Sequence, residues 1–163
     1  MKTLIVGLGN PILGDDGVGW KVAEAVQAAA ADEAQVVCLS VGGLGLMEHL
    51  IGYDHVILID AFITDREAVG SILVRRLDEL PNYSAYHITN AHDTSLQQAL
   101  QLGRKLGAHL PEKICVVGIA IRRFRDFGDE LSPPVAQAVE SAAHIVLNFL
   151  KQGLPVSLST SVH

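Results

Sequence analysis

A chain of 163 residues with 49% hydrophobic side chains and a mean hydropathy of +0.32 can bury one substantial core. Its formal net charge of −6 argues against nucleic acid as the main partner, because phosphate backbones select basic faces. No apolar run approaches the ~20 residues of a membrane span, and the first residues lack the apolar stretch and cleavage site of a signal peptide. A single domain over residues 1–163, monomeric and cytoplasmic, is the expectation.

The first apolar run, about 2–7, leads into Gly7-Leu8-Gly9-Asn10-Pro11-Ile12-Leu13-Gly14-Asp15-Asp16-Gly17-Val18-Gly19. Glycines after a first strand usually announce a phosphate cradle, in which bare N–H groups and the helix dipole hold an anion. Here Asp15 and Asp16 stand at the entrance of the first helix, where they repel phosphate and attract a cation. The spacing fails as well: the dinucleotide fingerprint would need glycine at Ile12, and no Lys-Ser/Thr follows Gly14. No nucleotide cofactor is expected, and the loop points to a metal ion or to carboxylate chemistry.

Helical periodicity follows at about 16–31, with Val18, Val22, Ala25 and Ala29 on one face. A second apolar run, 34–40, holds Cys38, and a short helix over 44–51 follows Gly42-Gly43. A third run, 55–60, ends in Asp60. Such continuous runs suit strands covered on both faces of a parallel sheet. Val69 to Arg75 alternates more and reads as an edge strand suited to antiparallel pairing. His92 lies just before a helix over 94–107, which Thr94 and Gln97 open as a capping box. The fourth continuous run, 113–119, holds Cys115. Both cysteines read as small buried thiols, neither nucleophiles nor ligands. Pro133 and Pro134 open a last helix, where a missing N–H costs little, and the tail over 153–163 is expected to be loose. The alternation predicts a three-layer α/β/α sandwich with helices on both faces of the sheet.

Sites in open α/β sheets form beyond the carboxyl ends of strands. The polar residues placed there are Asp15 and Asp16 after strand one, Asp60 at the end of strand three, and His92 before the third helix. Each has a plainer reading: either of the first pair as a helix cap, Asp60 as a loop cap, His92 as an incidental histidine. Together, two carboxylates and an imidazole at one edge make an open three-ligand site. Mixed oxygen and nitrogen donors suit nickel or zinc, with positions left for water or substrate. His49, His55, His87, His109, His144 and His163 are weaker candidates by position.

In these motifs the chain resembles the nickel–iron hydrogenase maturation proteases, endopeptidases that trim the C-terminus of a hydrogenase large subunit. The resemblance rests on Gly7-x-Gly9-Asn10-Pro11-x-x-Gly14-Asp15-Asp16-Gly17-x-Gly19, on Ile59-Asp60-Ala61 and on the His92 segment. It continues through Gly118-Ile119 and Leu131-Ser132-Pro133, spanning about 2–150. It implies a twisted, mostly parallel five-stranded sheet flanked by helices. It also implies that Asp16, Asp60 and His92 form the catalytic and nickel-contacting set. The implied substrate is the large-subunit precursor, which supplies the nickel, and the nickel marks the cleavage site.

Two departures stand out. Ser40-Val41 precede Gly42-Gly43 where many members carry an acid. The segment Ile121-Arg122-Arg123-Phe124-Arg125 is unusually basic, either a solvated cluster or a docking patch for the precursor. Two alternatives stay open. A receiver-like switch domain would use magnesium and phosphorylate Asp60, but it needs a lysine that Val116-Val117-Gly118-Ile119 lacks. A non-catalytic nickel-binding accessory protein would bind the precursor without shortening it.

Overall fold

Valine, isoleucine and leucine dominate the apolar runs, and branched side chains of this kind pack well on a pleated surface. The computed structural model describes residues 1–30, 32–81, 83, 94–123, 127–155 and 160–162. In it the runs become β1 (Thr3–Leu8), β2 (Gln35–Leu39), β3 (His55–Ile63), β4 (Ile72–Arg76) and β5 (Lys113–Ile121). The sheet order is β2-β1-β3-β5-β4, with the first four strands parallel and β4 antiparallel to β5. This is the expected five-stranded, mostly parallel sheet. Residues Thr160–Val162 add a short strand, β6, antiparallel to β4. The sequence alone reads that tail as loose. An open strand edge carries unpaired N–H and C=O groups that an extended segment can satisfy, and β4 offers one.

A 3-10 turn at Gly14–Gly17 leads into α1 (Val18–Ala30). The other helices are α2 (Gly43–Leu50), α3 (Leu96–Lys105) and α4 (Pro133–Gln152). Strand alternation sorts the core into two halves. Ile57, Ile59 and Ala61 of β3 face α1 and α4, while Val56 and Leu58 face α2 and α3. Val22 and Val26 of α1 are fully buried, each contributing roughly 2 kcal/mol. No helix among the described residues is long and apolar enough to cross a membrane.

The cap of α3 differs from the expectation by one residue. Ser95, not Thr94, is the N-cap: its Oγ accepts from Gln98 N at 3.2 Å, and Gln98 Oε1 accepts from Ser95 N at 3.2 Å. Gln97 is drawn elsewhere, donating to the carbonyl of Leu80 at 2.8 Å. Cys115 is buried as expected, and burial pushes its thiol up to about 12. Cys38 is only half-buried, because β2 is an outer strand of the sheet.

The glycines of the first motif serve packing. A Cβ on Gly19 would lie 2.3 Å from the Leu8 carbonyl oxygen and 2.5 Å from that of Ile59. A Cβ on Gly7 would meet the Gly19 carbonyl oxygen at 2.6 Å. Bare backbone on both sides lets α1 press directly onto β1 and β3. The chain passes from β1 through α1 to β2 on one side, then through α2 to β3 on the other. The crevice at the carboxyl ends of β1 and β3 is therefore the topological switch point, where open α/β sheets bind ligands.

Candidate active site

Asp16 and Asp60 both stand at this switch point, near enough for the charge of one to act on the other. Asp16 sits in the 3-10 turn after β1 and is 6% exposed. Gly9 folds the loop back over it: the residue has φ +135°, and a Cβ there would lie 2.0 Å from the Asp16 carbonyl oxygen. Asn10 N donates to Asp16 Oδ2 at 2.9 Å. The loop is tied to β2 as well, since Gly9 N donates to Leu39 O at 3.2 Å and Ser40 Oγ donates to Gly9 O at 2.6 Å. Ser40, one of the departures noted above, thus anchors the site loop.

Asp15 points to a different task. Its carboxylate accepts from Ser132 N at 2.6 Å and from Ser132 Oγ at 2.7 Å. Ser132 is the N-cap of α4, so Asp15 clamps the loop to the last helix. Backbone bonds join the same loops, with Gly14 N donating to Gly128 O at 2.8 Å. Neither aspartate caps the 3-10 turn, whose N-cap is Leu13.

Asp60 is 2% exposed. The sequence suggests it ends its strand, but β3 continues to Ile63 because β5 runs alongside and pairs Asp60 with Gly118. The pairing of β1 with β3 stops at Gly7 and Ile59, so Asp60 is the first residue past the end of that ladder. Its side chain takes the α2–α3 face by alternation. Tyr83 Oη donates to Asp60 Oδ2 at 2.8 Å. Oδ1 is buried with no hydrogen-bond partner among the described residues.

Burial, above all, pushes the Asp60 carboxyl well above the usual carboxylate range. The negative charge of Asp16 adds to the rise, and the Tyr83 bond and the Ala61 N–H oppose it. Burial likewise raises the Tyr83 phenol. Two carboxylates near one another, one with an unsatisfied buried oxygen, form an environment that a cation relieves. No group of three His, Cys, Asp or Glu side chains among the described residues could hold a metal ion by itself. His92, the third expected member, and His87 lie outside the described residues.

Tyr83 carried no signal in the sequence, where it stands in the polar stretch Pro81-Asn82-Tyr83-Ser84. Arg122 is committed to structure, donating to the carbonyls of Thr64 at 2.5 Å and Glu67 at 2.9 Å. Arg123 is exposed, and Arg125 lies outside the described residues. A groove of about 430 Å³, lined in part by Arg76, Leu100, Arg104 and Lys113, contains neither Asp16 nor Asp60. It lies by the N-terminal end of β5, away from the switch point.

The architecture is that of an α/β protein with two buried carboxyl groups, Asp16 and Asp60, at its switch point. A family model described as hydrogenase maturation protease matches residues 18–149, and the chain belongs to that family of endopeptidases. The matched span includes Asp60 and His92 and begins two residues after Asp16. The chain is similar to the hydrogenase 2 maturation protease of Escherichia coli (strain K12), 27% identical over 154 residues, or 93% of this chain and 92% of that protein. It is also 30% identical over 151 residues to the hydrogenase expression/formation protein HupM of Azotobacter chroococcum mcd 1, covering 91% of this chain and 71% of that protein. The hydrogenase maturating endopeptidase HybD from E. coli shares the fold, with a TM-score of 0.72 over 93% of each chain at 24% identity. Membership of this family sets aside the receiver and the non-catalytic accessory readings.

Proposed function

We propose that this endopeptidase removes the C-terminal peptide from the nickel-loaded precursor of a [NiFe]-hydrogenase large subunit. It recognises the precursor by its nickel, which Asp16, Asp60 and His92 contact. It acts in the cytoplasm as a monomer and needs no nucleotide cofactor. The observation that carries this reading is the buried Asp16–Asp60 pair, with Asp60 Oδ1 left without a hydrogen-bond partner. A pocket of this kind is costly until a divalent cation enters it.

Two carboxylates make a poor resident cage, since structural metal sites use about four protein ligands. A cation brought by the substrate, with its own ligands, completes the coordination and links binding to loading. Hydrolysis then needs a polarised carbonyl and an activated water. Asp16, held by the Asn10 N–H, is suited to remain an anionic contact for the nickel.

The test compares one precursor with and without nickel, using metal-stripped protein and mass spectrometry of the product. Shortening of the loaded precursor alone is expected. Equal cleavage of both would refute recognition through nickel, and cleavage of neither would refute the assigned substrate.

A further inference from the structure

We propose that Tyr83 is the positioning residue of this site: it fixes the Asp60 carboxyl in one orientation and so presents Oδ1 as the oxygen offered to the precursor's nickel. The inference rests on the function proposed above and extends it to a residue that neither motif nor spacing singles out. A carboxylate free to turn offers two equivalent oxygens, and its plane is set by whatever it meets. Here the Tyr83 hydroxyl engages Oδ2 at 2.8 Å and is the side chain that holds the carboxyl beside the local Ala61 N–H, while Oδ1 stays buried with no side-chain hydrogen-bond partner among the described residues. Gly118, paired with Asp60 on β5, brings no side chain to compete for that oxygen.

Tyr83 is itself held in place. Its carbonyl accepts from Leu96 N at 3.1 Å, at the first residue of α3, and it packs against the α2–α3 core. The hydroxyl is therefore delivered from a different element than the carboxylate it holds. Groups that orient a metal ligand from behind typically change metal affinity or activity by about 10–100-fold when removed. The plainer role, a buried phenol finding an acceptor, would affect stability alone.

Tyr83→Phe separates the two, since the ring and its packing remain. Affinity for Ni2+ alone is measured by calorimetry on metal-stripped protein, and kcat and KM are measured on the nickel-loaded precursor. The expected result is a loss of about 10-fold or more in Ni2+ affinity and a fall in kcat, with the folded state retained. The ligand-field absorption of bound Ni2+ should also shift, because a freely turning carboxylate coordinates with different geometry. Unchanged Ni2+ affinity and unchanged processing in Tyr83→Phe would overturn the inference. So would a nickel-bound structure in which Tyr83 Oη has left Asp60. Asp60→Asn distinguishes the levels. If it abolishes nickel-dependent processing while Tyr83→Phe leaves it intact, the proposed function stands and the role of Tyr83 falls. A wild type that processes neither precursor removes both.

Discussion

Gly19→Ala tests whether the first glycine motif exists for packing. The added methyl carbon would lie 2.3 Å from the Leu8 carbonyl oxygen and 2.5 Å from that of Ile59. Ordinary contact begins near 3.4 Å, so α1 must lift by about 1 Å. Both oxygens belong to the backbone of paired strands and cannot rotate away as a side chain would. Overpacking of this kind typically costs about 1–3 kcal/mol, and two backbone contacts place this site at the upper end. Alanine returns about 1 kcal/mol through its better helix propensity. The net loss should be about 2 kcal/mol, which lowers Tm by roughly 4–8 °C in a chain of this size. Thermal unfolding followed by circular dichroism measures it. Gly45→Ala in α2 is the control: its Cβ would meet only Val41 Cβ at 3.7 Å, so a gain of about 0.5–1 kcal/mol is expected there. Because α1 begins directly after the turn that carries Asp16, Gly19→Ala should also reduce precursor processing at temperatures where it stays folded. A Gly19→Ala protein as stable as the wild type would refute the packing account.

Three further outcomes follow from the site and the core. Asp60→Asn keeps an acceptor for Tyr83 and removes the charge that burial penalises, so it should abolish processing while stabilising the metal-free protein at pH 8. The folded carboxyl is raised, so the native state keeps a proton that the unfolded chain releases above about pH 4, and wild-type stability declines as pH rises through that window. Unfolding midpoints in chelator at pH 4.5 and pH 8 check this, and a variant less stable than wild type at pH 8 would contradict it. The two neighbouring aspartates should separate cleanly. Asp15→Ala, which strips Ser132 of its acceptor, should cost about 1–3 kcal/mol, whereas Asp16→Asn should cost under about 1 kcal/mol yet remove most processing. Normal processing by Asp16→Asn would make that residue merely structural. Cys115, with its thiol raised to about 12 by burial, should resist iodoacetamide at pH 8 until the protein unfolds, while half-buried Cys38 reacts first. Linkage from this thiol leaves stability intact below about pH 8.5 and erodes it as pH rises toward 12. Labelling of both cysteines at one rate in the native protein would rule out that environment.

The layered fold was legible in the sequence because strands buried on both faces must be apolar at every position. Continuous runs around Ile57 and Val117 therefore announce themselves without any knowledge of partners. The acidic loop was legible for a similar reason: two carboxylates after a first strand contradict a phosphate cradle locally. Other features were degenerate at that level. Thr94-x-x-Gln97 and Ser95-x-x-Gln98 are the same capping pattern one residue apart. Tertiary contact chose the second, because Gln97 is claimed by the carbonyl of Leu80 across the chain. Asp15 and Asp16 are equivalent by residue type and position; the family resemblance singles out Asp16, and the structure gives each a distinct task. One is spent on Ser132, 117 positions away, and the other turns toward Asp60 at the switch point. Tyr83 reaches Asp60 across 23 positions with no periodicity to betray it. Local chemistry fixes which segments form strands and helices. Which carboxylate clamps the last helix and which stands beside Asp60 depends on contacts between distant residues, and only the folded chain brings those together.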